Sequence, residues 1–122
     1  HFYFRDNWYA DNGMIPALLV LELLGREGRK LSELLAPLRS RYFITGEINS
    51  KVADVAGALR RLEERYRDAE ITKMDGVSVD YADWHFNVRP SNTEPLLRLN
   101  LEAYSQADMV RRRDEVLAII RS

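Results

Sequence analysis

Apolar positions divide the chain into two stretches with different organisation. Phe2, Tyr3 and Phe4 form a short aromatic, β-prone run, which the polar Asp11, Asn12 and Gly13 interrupt. The apolar run over residues 14–24 predicts a buried helix with Pro16 in its first turn and Gly25 and Gly28 ending it. Residues 31–35 predict one more helical turn, stopped at Pro37. One strand and one or two helices cannot enclose a core. Residues 1–38 are therefore expected to be the end of a larger domain.

Residues 39–122 read as a complete unit. Residues 41–45 predict a strand closed by Gly46, with Asn49 or Ser50 capping a helix on which Val52, Val55, Leu59, Leu62 and Tyr66 share one face. Residues 71–74 and 77–81 are strand-like around Asp75-Gly76, a strong hairpin signal. Along residues 84–89, Trp84, Phe86 and Val88 face one way, and His85, Asn87 and Arg89 face the other, wet side. Leu97, Leu99, Leu101 and Ala103 alternate in the same manner with Arg98, Asn100 and Glu102. Ser105 and Asp108 resemble a capping box for a terminal helix over residues 106–120. The order is strand, helix, three strands, helix. The fold class expected is α+β: a mostly antiparallel four-stranded sheet with two helices on one face.

Composition narrows the function. The chain's 122 residues carry 18 basic and 19 acidic side chains, interleaved in sign. Nucleic acid or an anionic membrane as a partner would call for a concentrated positive field, so neither is expected. The run over residues 14–24 is too short to span a bilayer, and no signal-peptide series opens the residues present. Cysteine is absent, which removes disulfides and thiolate chemistry and is compatible with a reducing, cytoplasmic setting.

One segment carries chemistry: Arg89-Pro90-Ser91-Asn92-Thr93-Glu94-Pro95, between two well-patterned strands. A guanidinium can hold two phosphate oxygens at once, and hydroxyl, amide and backbone N–H donors of a tight turn can aim at the same point. The two prolines restrict the ends of the loop, which lowers the entropy lost on ordering it around a ligand. The same residue types also make a good turn with no ligand at all, leaving Arg89 as an exposed strand end.

This string, followed by an alternating apolar strand, resembles the phosphate-binding loop in the last domain of α-D-phosphohexomutases. Gly46-Glu47-Ile48-Asn49, Asp75-Gly76-Val77 with Val79-Asp80-Tyr81, and Asp11-Asn12-Gly13 before an apolar helix resemble the same family. The resemblance spans nearly the whole chain. It implies a C-terminal fragment of a four-domain phosphomannomutase/phosphoglucomutase: the strand-helix tail of the third, α/β domain (1–38) and a TATA-box-binding-protein-like fourth domain (39–122). Asn92 favours that branch, since phosphoglucosamine mutases usually carry glycine there.

In such an enzyme a phosphoserine in the first domain donates its phosphoryl group to the sugar. A hexose 1,6-bisphosphate then turns over in the cleft, and hexose 1- and 6-phosphates interconvert. The resemblance implies that Arg89, Ser91, Asn92 and Thr93 bind the phosphate that is not being transferred, while Pro90, Glu94 and Pro95 shape the loop. The partners implied are a phosphosugar and the remaining domains of the same enzyme. Neither the phosphoserine loop nor the Asp-Gly-Asp-x-Asp motif for Mg2+ is present, so no catalytic residue and no metal ligand is expected here, and this chain alone is expected to be inactive. His1 would end the family's Gly-Glu-x-Ser-x-His motif and is a candidate sugar contact, the alternative being a terminal histidine left by cloning.

Other residues have blander expectations. His85 shares a face with Arg89 and could assist phosphate binding or proton transfer, but reads better as a half-exposed sheet residue, and Glu63, Glu64, Asp68 and Glu70 read as a solvated helix side in preference to a metal site. Tyr3, Trp8 and Tyr9 could line a sugar-facing cleft but better suit burial in the core of the domain to which residues 1–38 belong, or an exposed patch where their covering partners are missing. The alternative from another class is a non-catalytic interaction or regulatory α+β module.

Overall fold

A computed structural model of the chain describes residues His1–Ser122. The chain forms two compact units, His1–Leu38 and Arg39–Ser122.

In the first unit, residues 2–4 form no strand; Tyr3 makes a single antiparallel bridge to Asp11, and a 3-10 turn follows at Arg5–Asn7. Helix α1 (Met14–Glu27) starts where the Asn12 side-chain oxygen accepts from the Met14 and Ile15 N–H groups at 2.9 and 3.0 Å. The helix runs through Gly25 and ends at Gly28, whose φ of +62° is the left-handed conformation that favours glycine at a helix end. Helix α2 (Leu31–Arg39) likewise continues past Pro37, the expected stop. A proline there supplies no N–H for the carbonyl four residues back. That carbonyl, on Glu33, accepts instead from the Arg29 guanidinium at 3.4 Å. No side chain of α1 or α2 is buried, and Tyr3, Trp8 and Tyr9 are exposed.

The second unit is α+β. Its sheet is antiparallel throughout and built from β1 (Phe43–Ile44), β2 (Ile48–Lys51), β3 (Glu70–Thr72), β4 (Val77–Asp80), β5 (Trp84–Pro90) and β6 (Leu96–Ala103). The lateral order is β1-β6-β5-β4-β3, with β2 also on β6. Six strands replace the four-stranded sheet expected. Five of them fall on segments expected to be strands, the two around Asp75-Gly76 included, and the sixth is β2, whose residues 48–51 were expected at a helix start.

Strands β1 and β2 lie in line along one edge of β6. Ile44 faces Glu102 and Ile48 faces Leu99, so Thr45, Gly46 and Glu47 oppose only Asn100 and Leu101. One extra residue on one side is a β-bulge. Gly46, at φ +67°, takes the turn that the bulge needs, and the Thr45 N–H still donates to the Leu101 carbonyl at 2.9 Å. Ser50 is buried in β2, where its hydroxyl accepts from Arg121, so it caps nothing. The cap of α3 (Val55–Arg65) is Asp54, whose carboxylate accepts from the Gly57 N–H at 2.8 Å.

Helix α4 (Gln106–Ile120) has the expected bounds, and the Ser105 hydroxyl accepts from the Asp108 N–H at 3.1 Å. Both helices cover one sheet face. Ala58 and Leu62 from α3 and Val116, Leu117 and Ile120 from α4 join Val79, Phe86, Val88, Leu97, Leu99 and Leu101 in one core. Tyr66 seals one end of it, with its ring 5.1 Å from Phe86 and 5.8 Å from Trp84. The opposite face is polar and open.

Candidate anion site on the open sheet face

Residues 91–95 connect β5 to β6, closed by the Ser91 N–H donating to the Leu96 carbonyl at 3.0 Å. Within the loop the Ser91 hydroxyl lies 3.4 Å from both the Thr93 hydroxyl and the Thr93 N–H. Asn92 and Thr93 are exposed, and neither the Asn92 side chain nor its N–H has an intramolecular hydrogen-bond partner. Pro95 holds the base of the loop through its carbonyl, which accepts from the Val52 N–H at 3.4 Å. Leu96 donates back to the Glu94 carbonyl at 2.8 Å.

Arg89 stands on the open face at the root of this loop, and its register partner across the ladder is Arg98. The Arg98 guanidinium also donates to the Ser91 hydroxyl, at 3.4 Å, while its Nε is buried without a partner. Two cations placed directly opposite each other on a sheet repel. Glu47 offsets this: one carboxylate oxygen lies 3.3 Å from Arg98 and the other 3.4 Å from Arg89. Asp75, from the β3–β4 turn, takes another Arg89 nitrogen at 3.3 Å.

Arg98, Glu47 and Asp75 were not among the candidates read from the sequence. Arg98 was within reach, because alternation with Leu97 and Leu99 puts it on the wet side, and a hairpin closing over residues 91–95 sets it beside Arg89. Glu47 was not, since its position depends on the bulge at Gly46.

The other candidates have contacts of their own. His85 is exposed and pairs with Asp80 at 3.4 Å. Glu63 binds Lys73 at 2.7 Å, and Asp68 accepts from the Tyr81 hydroxyl at 2.9 Å, so these carboxylates serve the surface of the sheet and helix. That hydrogen bond helps hold the Tyr81 phenol above its usual range, after the larger effect of burial. His1, in the first unit, is exposed; its ring binds the Asp11 carboxylate and stacks on Tyr3. No group of three or more His, Asp or Glu side chains is arranged to hold a metal ion. No helix is long and apolar enough to cross a membrane.

Residues 47–119 match the family described as phosphoglucomutase/phosphomannomutase, C-terminal domain, and residues 1–42 match its alpha/beta/alpha domain III. Among curated relatives, a protein of Xanthomonas campestris named for phosphohexose mutases is 43% identical over 97% of this chain and 27% of its own length. A phosphomannomutase of Salmonella montevideo is 42% identical over 100% of this chain and 27% of its own length. One from Methanocaldococcus jannaschii is 37% identical over 98% and 26%. A crystal structure of a phosphoglucomutase/phosphomannomutase family protein from Burkholderia thailandensis superposes with a TM-score of 0.66 at 30% identity, covering 98% of this chain and 26% of that one. The chain thus spans about a quarter of the length of the relatives it matches. It belongs to the phosphoglucomutase/phosphomannomutase family and corresponds to the C-terminal part of its members.

Proposed function

We propose that this chain is the phosphate-holding end of a phosphomannomutase/phosphoglucomutase, and that Arg89, Ser91, Asn92 and Thr93, joined by Arg98, bind the phosphate that is not being transferred. The observation that carries this reading is the pair of opposed guanidinia beneath a loop whose Asn92 donors are unspent. Arginine forks match phosphate oxygens bidentately, and hydrogen bonds to a charged partner contribute about 1.5–3 kcal/mol each.

In the full-length protein, a phosphoserine on another domain gives its phosphoryl group to a sugar hydroxyl, forming a hexose 1,6-bisphosphate. The sugar then reorients and returns its other phosphoryl group to serine. The residues of this chain perform no bond-making step. They anchor one phosphate so that the far hydroxyl meets the phosphoserine, and phosphoryl transfer depends chiefly on such alignment and charge stabilisation. Recognition centred on phosphate suits a loop that must accept either end of the sugar. The Mg2+ ion of the complete enzyme has no ligand set in this chain and belongs to the other domains. In the same scheme Pro90, Glu94 and Pro95 shape the loop, His1 reaches the sugar, and the enzyme works in the cytoplasm.

The test is a heteronuclear NMR titration of this chain with mannose 1-phosphate, with inorganic phosphate and mannose as controls. Saturable shifts at residues 91–94 with both phosphates, and none with mannose, are expected. Silence at these amides with millimolar phosphate, repeated on the full-length protein, would overturn the reading in favour of a non-catalytic interaction module.

A further inference from the structure

The anion site is already filled by an anion from the chain itself. We infer that Glu47 is a built-in counter-ion that occupies the arginine pair when no phosphate is bound and is displaced when one arrives, setting the affinity of the site below what two free arginines would give. This inference rests on the phosphate reading above.

Three features carry it. Glu47 spends both carboxylate oxygens on the pair, one on Arg98 at 3.3 Å and one on Arg89 at 3.4 Å, as a phosphate spanning the two would. It touches no other cation, and its side chain is about one-third exposed, so it has solvent to swing into. Its placement is also built: the extra residue at Gly46 sets Glu47 immediately before β2, which pairs with the strand that carries Arg98. Bulges commonly re-aim a side chain beside a functional site.

The consequence is a competition. A ligand that binds only the displaced state has its apparent affinity lowered by the fraction of molecules in that state. A phosphate that must be held during one half of a reaction and freed for the next gains from an internal anion that refills the site on release. Glu47 is a positioning residue here, since it acts through the two arginines.

The experiment compares inorganic phosphate binding by this chain and by its Glu47→Gln variant, with amide shifts at residues 91–94 as the readout and overall spectral dispersion as the check on folding. Glutamine keeps the shape and can still bridge one arginine, but it carries no charge. The expected result is about ten-fold tighter binding, the scale of removing one nearby like charge from a partly screened site. Asp75→Asn, which frees Arg89 alone, should tighten binding by only about two-fold on the same argument. Unchanged or weaker binding in Glu47→Gln would mean that Glu47 merely holds the arginines in place and would overturn the inference while leaving the phosphate site intact. Equal tightening in both variants would reduce it to a general charge effect and overturn the bridging role. No phosphate response in either chain, repeated on the full-length protein, would remove the phosphate reading and the counter-ion role together.

Discussion

Arg89 and Tyr66 show how differently two polar side chains of one small unit can be constrained. Arg89 keeps its charge partnered by Glu47 and Asp75 while remaining reachable from solvent. In the full-length protein, Arg89→Ala is expected to lower kcat/KM by about 30-fold, the equivalent of about 2 kcal/mol for one lost charge-assisted contact. Steady-state kinetics with a hexose 1-phosphate would check this, and unchanged kinetics would end the role assigned to the loop. Tyr66 instead buries a hydroxyl that has no hydrogen-bond partner, and burial, with Glu115 nearby, pushes its phenol above the usual range. Deleting an orphaned buried hydroxyl relieves a desolvation penalty, so Tyr66→Phe should stabilise the unit by about 1 kcal/mol. A urea melt with an unchanged slope and a higher midpoint is the expected outcome.

At the level of elements, turns and caps decide where strands and helices stop. The strand predicted over residues 71–74 ends at Thr72, because the last register pair before the turn is Thr72 with Ser78. Gly76 lies at φ +74° against the backbone of β5, where an added Cβ would collide with the Val88 carbonyl and lie 2.6 Å from Arg89 Cα. Gly76→Ala is therefore expected to cost at least about 1 kcal/mol in stability and, by displacing the Asp75–Gly76 turn from Arg89, to alter phosphate binding as well. Paired thermal melts and phosphate titrations would separate the two effects.

Helix α4 gives a pH prediction. The hydrogen bond from Arg111, followed by that from Ser105, holds the Asp108 carboxyl below its ordinary range. A depressed folded-state value means that the stabilisation is complete above the unfolded carboxylate range, near about 4, and is lost as pH falls through the lower folded value. The melting temperature should thus be flat from neutral pH down to about 5 and fall below about 4, less steeply in Asp108→Asn.

The same scale shows what the sequence could and could not convey. The alternation in residues 84–89 and 97–103 and the Ser105 cap carried two strands and a helix almost to the residue, because side-chain period and capping chemistry are local. Pro37 and Gly25 misled, because a side-chain donor and favourable continuation on both sides let α2 and α1 run through them. β2 was read as a helix start because its pairing with β6 joins residues far apart in sequence. Four loop donors were legible as residue types; the counter-ions around Arg89 were not, since Glu47 and Asp75 reach it from other strands and turns.

Across the whole molecule, the two units differ in what holds them. The second has a continuous core under the sheet, whereas α1 presents Leu18, Leu19, Leu21 and Leu23 to solvent and buries none of its side chains. Protection from exchange follows burial and cooperative packing. Amides of α1 in this chain should therefore exchange much faster than those of β5 and β6, whose protection should approach that of global unfolding. Hydrogen-exchange NMR would reveal the contrast, and equal protection in both units would mean that α1 is covered in solution.

The extra residue at Gly46 has a consequence beyond the site. A long, flat outermost strand is a template on which other chains can pair, and natural sheets blunt such borders by shortening or twisting them. Here that border is broken into a two-residue and a four-residue piece by the bulge, while the opposite border is the three-residue β3. Neither side offers a run of unpaired backbone groups long enough to recruit a neighbour, so the kink that turns Glu47 toward the arginines also guards the sheet against sticking to its own copies.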